Sequence, residues 1–280
     1  MKKITAAFDG LQLSASTMEY AIHIARGCRA HLSGVFFDDL IHHSYQFTDL
    51  VSEEGAVSDK KLKLLAEKDE KTRKNSMRIF KETCETSGVE FSVNRSKNVA
   101  VKDVLHESIY SDLLIINRKE DFNIHPGEIP SDFMREILAD VQCPVLVVPE
   151  KYNPVQKIIV LYDGDPSSVF AIKMFGYILT LFRHLTVQVL SVKSETTDPG
   201  IPDRSLMKEF MKLYFPGAEY TFLKGNPEET ILTFLEQQNE EILVVLGAYR
   251  RGRVSRWFKP SMADILMSRL ALPIFIAHNK

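Results

Sequence analysis

The chain has 280 residues, 45% of them hydrophobic and 26% charged, and a net charge of −2 at pH 7. That length fits one large or two ordinary domains, and the composition is that of a soluble globular protein. Near-neutral charge excludes a global attraction to nucleic acid or membrane, so any basic patch is local, and no apolar run approaches the roughly 20 residues needed to span a bilayer.

The first residues, MKKITAAFDG, reach Asp9 too soon for a signal-peptide core. Cys28, Cys84 and Cys143 have no C-x-x-C spacing and read as reduced thiols of a cytoplasmic protein. Ile4–Phe8 is a short apolar strand ending at Asp9-Gly10. Ser14 or Ser16 then caps a helix to about Cys28, with Met18, Ala21, Ile22 and Ala25 on one face. Leu32–Phe37 is a second strand. From Ser58 to about Ser87 the chain is highly charged and helical, with Leu62, Leu65, Met77 and Phe80 as its apolar positions. Phe91–Val93 (strand), Val101–Tyr110 (helix), Leu113–Ile116 (strand), Ser131 to about Val141 (helix) and Val145–Val148 (strand) complete the first half.

Lys151–Gln156, which contains Pro154, is the expected boundary between domains at 1–150 and 156–280. Ile158–Leu161 then runs into Tyr162-Asp163-Gly164, repeating Phe8-Asp9-Gly10. A helix over Ser167–Phe182, a strand over Val187–Val192, a helix over Ser205–Phe215 and a strand over Tyr220–Leu223 follow. Asn226-Pro227-Glu228 opens the next helix, with a capping residue, a first-turn proline and an acid at the positive dipole end. Ile242–Leu246 is a strand ending on Gly247. A basic loop leads to Pro260-Ser261, where the last helix starts, and Pro273–Ala277 closes the chain.

The frame occurs twice. Thirteen positions separate Asn117 from Pro130 and Gly247 from Pro260, and 26 separate Asp9 from Val35 and Asp163 from Val189. The first half's 24 extra residues fall between its second and third strands, where the charged helix lies. Alternating strands and helices imply parallel sheets covered on both faces.

These features resemble the universal stress proteins, in tandem: the first-strand Asp-Gly pairs, the Gly225-Asn226-Pro227-Glu228 turn and the strand-Gly-loop-Ser-helix ending. The resemblance covers essentially the whole chain. It implies two doubly wound, adenine nucleotide α-hydrolase-like domains of sheet order 3-2-1-4-5, joined as a pseudo-dimer through their final strands. A further homodimer is compatible with it.

ATP-binding members of that family carry G-x-x-G, nine residues, then G followed by Ser or Thr. On the second half this implies a cofactor-binding set of Asp163, Val192, Gly225, Gly247, Arg250, Arg251, Gly252, Ser261 and Met262, for ATP with Mg²⁺ only as its companion. Gly247 and Ser261 match the motif. Arg250 and Pro260 replace its other glycines, and Gly252 comes two positions late. Arg250 fills space that glycine leaves open and Pro260 lacks an N–H. Against that, Arg250, Arg251, Arg253 and Arg256 offer guanidinium forks suited to phosphate. In the first half Asn117, Glu120 and Pro130 replace all three glycines, and Glu120, Asp121 and Glu128 would repel phosphate, so that site reads as lost.

Each candidate also has a plainer reading. Asp163 either contacts a nucleoside or holds its turn. The arginine loop binds an anion or is a solvated surface, and Ser261 caps its helix in either case. Trp257 and Phe258 pack the loop onto the body more readily than they stack bases. The charged helix is a solvated face or a partner surface. No nucleophile–base set and no metal-ligand spacing stand out, so no catalytic or metal residues are assigned, and at most weak ATP hydrolysis is expected. The expectation is a cytoplasmic stress-response protein that binds ATP or another phosphate-bearing ligand in its C-terminal half, without nucleic-acid or membrane partners. A nucleotide-free scaffold of the same fold is the alternative.

Overall fold

The computed structural model describes residues 1–38, 44–45, 59–96, 99–121, 127–193, 204–248 and 261–279. In chain order the elements are β1 (Lys3–Asp9), α1 (Ala15–Cys28), β2 (His31–Phe37), α2 (Asp59–Ser87), β3 (Phe91–Ser96), α3 (Ala100–Ile109), β4 (Leu113–Asn117), α4 (Asp132–Asp140) and β5 (Val145–Val148). The second half repeats them as β6 (Lys157–Leu161), α5 (Pro166–Ile178), β7 (Thr186–Lys193), α6 (Arg204–Tyr214), β8 (Glu219–Lys224), α7 (Pro227–Glu236), β9 (Ile242–Gly247), α8 (Met262–Arg269) and β10 (Ile274–Ala277).

These strands form one sheet of order β3-β2-β1-β4-β5-β10-β9-β6-β7-β8. The order 3-2-1-4-5 appears in the first half and again, reversed in space, in the second. Pairing is parallel within each half and antiparallel where β5 meets β10, with Leu146 opposite Phe275. Val145–Val148 and Ile274–Ala277 are fully buried, and removing such side chains from water favours the join by about 2 kcal/mol each. The join also leaves neither closing strand as an open edge.

One core lies under α1, α2, α5 and α6, and the other under α3, α4, α7 and α8. This is the two-faced covering that continuous apolar strands such as ILVVL require. Ser14 is the α1 cap, accepting from Thr17 N at 3.2 Å, and the helix stops at Arg29 in a left-handed conformation. The predicted helix over 167–182 ends earlier, at Ile178, and a 3-10 turn covers Thr180–Phe182. That turn packs on α1 across the halves: a Cβ on Gly27 would come within 2.9 Å of Leu181. Tyr20 of α1 donates its hydroxyl to Asn153 O at 3.1 Å, tying the connecting segment down.

Candidate functional site

In open parallel sheets, ligands bind beyond the carboxyl ends of the strands where the strand order reverses. This chain has two such points, between β1 and β4 and between β6 and β9, and they are built differently.

At the second point β6 runs into an exposed turn. Asp163 accepts the Asp165 amide at 2.9 Å, closing an Asx turn, and Gly164 follows at a positive φ of 91°. Asp163 is therefore solvent-facing and holds its own turn, the contact that the plainer reading names. Gly247, at the end of β9, lies against the first turn of α5. A Cβ there would sit 2.3 Å from Ser167 C and O and 2.6 Å from Ser168 N. Helix packing thus demands glycine here whatever the ligand. Gly225 lies at φ 142° before the Asn226 cap, and a Cβ there would meet Thr230 Oγ1 at 2.6 Å. Val192 and Leu223 are opposite one another on β7 and β8, both part-buried.

Ser261 caps α8 with a full capping box. Its hydroxyl accepts Asp264 N at 3.2 Å, and the Asp264 carboxylate accepts Ser261 N at 2.9 Å. An internal acid therefore already sits at the positive end of this helix, where phosphate would compete with it. Met262, next in line, is part-buried against the core. Arg250, Arg251, Gly252 and Pro260 lie outside the described residues.

On the other side of the Asp163 turn, a cleft of about 600 Å³ opens between α5 and α6. Tyr162, Gly164, Pro166, Val169, Met207 and Phe210 are among its walls, with Glu209 as the one charged member among the described residues. Its size and apolar lining are those of a pocket for a small organic molecule.

The first point is narrowed by its own side chains. Asn117, the counterpart of Gly247, donates from Nδ2 to Ser14 Oγ at 3.1 Å and to Pro149 O at 3.3 Å. Asp9, Glu120 and Ser131 are all buried, and Ser131 donates its hydroxyl to Glu120 O at 2.8 Å. A polar cavity of about 340 Å³ remains beside the start of α1, walled in part by Ser14, Asn117, Lys119 and Glu150. Instead of projecting to repel a ligand, Glu120 turns inward. Burial, and then the charge of Asp9, push its carboxyl up to about 8, and a backbone hydrogen bond from Asp9 only partly offsets them.

A carboxyl whose pKa is raised by folding contributes its full stability below the ordinary value, and loses it as pH climbs to the folded value. Wild-type stability should thus fall between about pH 4.5 and pH 8 from this group, by up to roughly 1.4 kcal/mol per pH unit. Glu120→Gln should flatten that slope and melt higher than wild type at pH 8, as thermal unfolding at pH 5 and pH 8 would register.

Most charges of helix α2 face solvent, but one stripe of it is buried. Asp69, Arg73 and Ser76 are buried on it beside Phe80 and Cys84, whereas Leu62 is exposed. Arg73 pairs through Nε with Asp38 at 2.7 Å. Arg95 shares that carboxylate at 2.6 Å and grips Glu70 with both guanidinium nitrogens, at 2.9 and 2.5 Å. Ser44 donates to Asp69. The Arg73 stem lies over the β1 turn, where a Cβ on Gly10 would be 3.1 Å from its Cγ. Part of the long insert therefore closes the first-half edge, at the place where the second half keeps its cleft.

No protein-family profile matches the chain. A curated universal stress protein from Synechocystis is 22% identical over 98% of this chain and 99% of its own length. Among solved structures, a universal stress protein from Archaeoglobus fulgidus superposes with a TM-score of 0.68 at 16% identity, covering 99% of this chain and 96% of that one. A structure from Pseudomonas aeruginosa gives 0.64 at 13% identity, covering 99% and 92%. With the duplicated sequence frame, the repeated strand order and similarity along its whole length, the chain has the build of a tandem universal stress protein.

Proposed function

We propose that this is a stress-response protein that takes one phosphate-bearing ligand, ATP being the first to test, at the carboxyl edge of its second half. Residues 1–150 form the domain that has lost the site and residues 156–280 the one that keeps it. The observation that carries this reading is the asymmetry of the two reversal points. The first is narrowed by Asn117 and Glu120 to a polar cavity of about 340 Å³, and the Arg73–Asp38 pair covers the β1 turn beside it. The second keeps an exposed Asp163 and an apolar cleft large enough for a nucleobase. The arginines at 250, 251, 253 and 256 supply the cations such a ligand needs, Mg²⁺ would arrive only with the nucleotide, and no catalytic role is assigned.

One observation favours the alternative, a nucleotide-free scaffold acting through its surface. The Ser261–Asp264 capping box occupies the helix end that would hold phosphate, and Gly247 is explained by α5 alone. Calorimetric titration of the nucleotide-stripped protein with ATP and Mg²⁺ separates the two. Micromolar binding near one per chain, abolished by Arg250→Glu with an unchanged melting temperature, is the expected result. No heat at millimolar ATP, with no thermal shift, leaves the scaffold. Binding undiminished in Arg250→Glu removes the arginine loop from the site.

A further inference from the structure

Arg118 follows β4 at the first-half edge, yet its guanidinium reaches the other half. Its Nη1 donates to Met267 O at 3.0 Å, in the last turn of α8, and to Leu270 O at 2.8 Å, the residue that caps the helix end. The rest of the guanidinium is held by Glu150, which accepts from Nε and from Nη2 at 3.1 Å each. Glu150 also takes Lys119 Nζ at 2.7 Å. Burial works to raise the Glu150 carboxyl, and the hydrogen bonds from Arg118 and Lys119 outweigh it, holding the group at about 2. The Arg118 side chain is 14% exposed, so the fork is fixed from both sides.

The last carbonyls of a helix have no partner within the helix and carry its negative dipole end. A planar cation bridging one of them, Met267 O, and the carbonyl of the capping residue Leu270 sets both the position and the rotation of that end. Among the described residues the arrangement is one-sided. The position after β9 that corresponds to Arg118 is Ala248, which has no side chain with which to return the contact to α4. The half that lost its own site thus holds the ligand-side helix of the other.

We infer that Arg118 is a positioning residue for the second-half site, anchoring the far end of α8 so that Ser261 and Met262 meet the ligand in fixed register. α8 is eight residues long, about 12 Å, so a tilt released at one end reaches the other within two turns. The role rests on the ligand reading proposed above.

The test titrates ATP with Mg²⁺ into the full chain carrying Arg118→Ala, Arg118→Lys or Lys119→Ala, well below the melting temperature, alongside amide exchange in α8. Lys119→Ala removes the other Glu150 partner without touching α8. The expected result is at least ten-fold weaker binding and faster α8 exchange in Arg118→Ala. Arg118→Lys should give an intermediate loss and Lys119→Ala values within two-fold of wild type. If Arg118→Ala does not fold, Arg118→Lys decides by the same two readouts. Wild-type affinity in the Arg118 variants, with the wild type binding ATP, overturns this role and leaves the ligand reading standing. Equal weakening in Lys119→Ala overturns it in favour of a general charge effect. No binding by the wild type overturns the ligand reading itself, and this role with it.

Discussion

Gly247→Ala is expected to destabilise the protein by about 3 kcal/mol, the upper end of what overpacking a core costs, and to lower the urea midpoint accordingly. The new methyl would lie 2.3 Å from the Ser167 carbonyl and 2.6 Å from Ser168 N. Those atoms are backbone in the first turn of α5 and cannot rotate aside as a side chain would. β9 cannot yield either, being paired with β10 on one side and β6 on the other. The first half tolerates Asn117 at the same place because its helix starts later. α1 begins at Ala15, six positions after Asp9, whereas α5 begins at Pro166, three positions after Asp163. The longer turn leaves room in which the Asn117 amide reaches Ser14 and Pro149. An unchanged urea midpoint in Gly247→Ala would return this glycine to a purely ligand-binding role.

That result would also mark the limit of motif reading here. Gly247 matches a nucleotide-loop glycine in the sequence, but a motif match does not distinguish close approach of phosphate from close approach of a helix. Both need the same missing Cβ. The fold is far more legible. Continuous apolar runs such as Leu113–Ile116 and Ile242–Leu246 have no reason to exist unless both sheet faces are covered, and the repeated 26- and 13-residue spacings place the halves in register.

Most of α2 is the solvated face that its charge suggests, but its buried stripe carries charge as well, because charge on a helix does not by itself mean solvent. Asp69, Arg73, Ser76, Phe80 and Cys84 follow one another at steps of four, three, four and four, a single helical stripe on which polar and apolar members are buried together. The stripe is visible in the spacing. The partner that neutralises Arg73 is not, because Asp38 comes from the end of β2, 35 positions away. Arg118 is illegible in the sequence for the same reason: its carbonyl partners lie about 150 positions further on.

The Asp38 network sets the second large effect. Asp38→Ala removes the carboxylate that Arg73 and Arg95 share, with their side chains 8% and 18% exposed. Truncating one member of a buried charge cluster leaves the others desolvated without their counter-charge, and the expected cost is about 3–5 kcal/mol in chemical denaturation. Replacing the cation as well should recover most of it. In Asp38→Ala, Arg73→Met a straight apolar side chain of similar length covers Gly10 with no charge to satisfy, while Arg95 keeps its bidentate contact to Glu70. Recovery in the double variant, with a single variant that is badly destabilised, assigns the network to closing the first-half edge. A single-variant loss below about 1 kcal/mol is the value of a solvent-screened surface pair, and would extend the solvated character of α2 to this stripe as well. ATP stoichiometry in the double variant then tests the proposal that the first half has lost its site. The methionine side chain introduced by Arg73→Met would still cover the turn, and Glu120 would still be buried beside Asp9, so binding should stay at one per chain. A second equivalent appearing there would mean that Arg73, rather than Asn117 and Glu120, is what keeps the first edge shut.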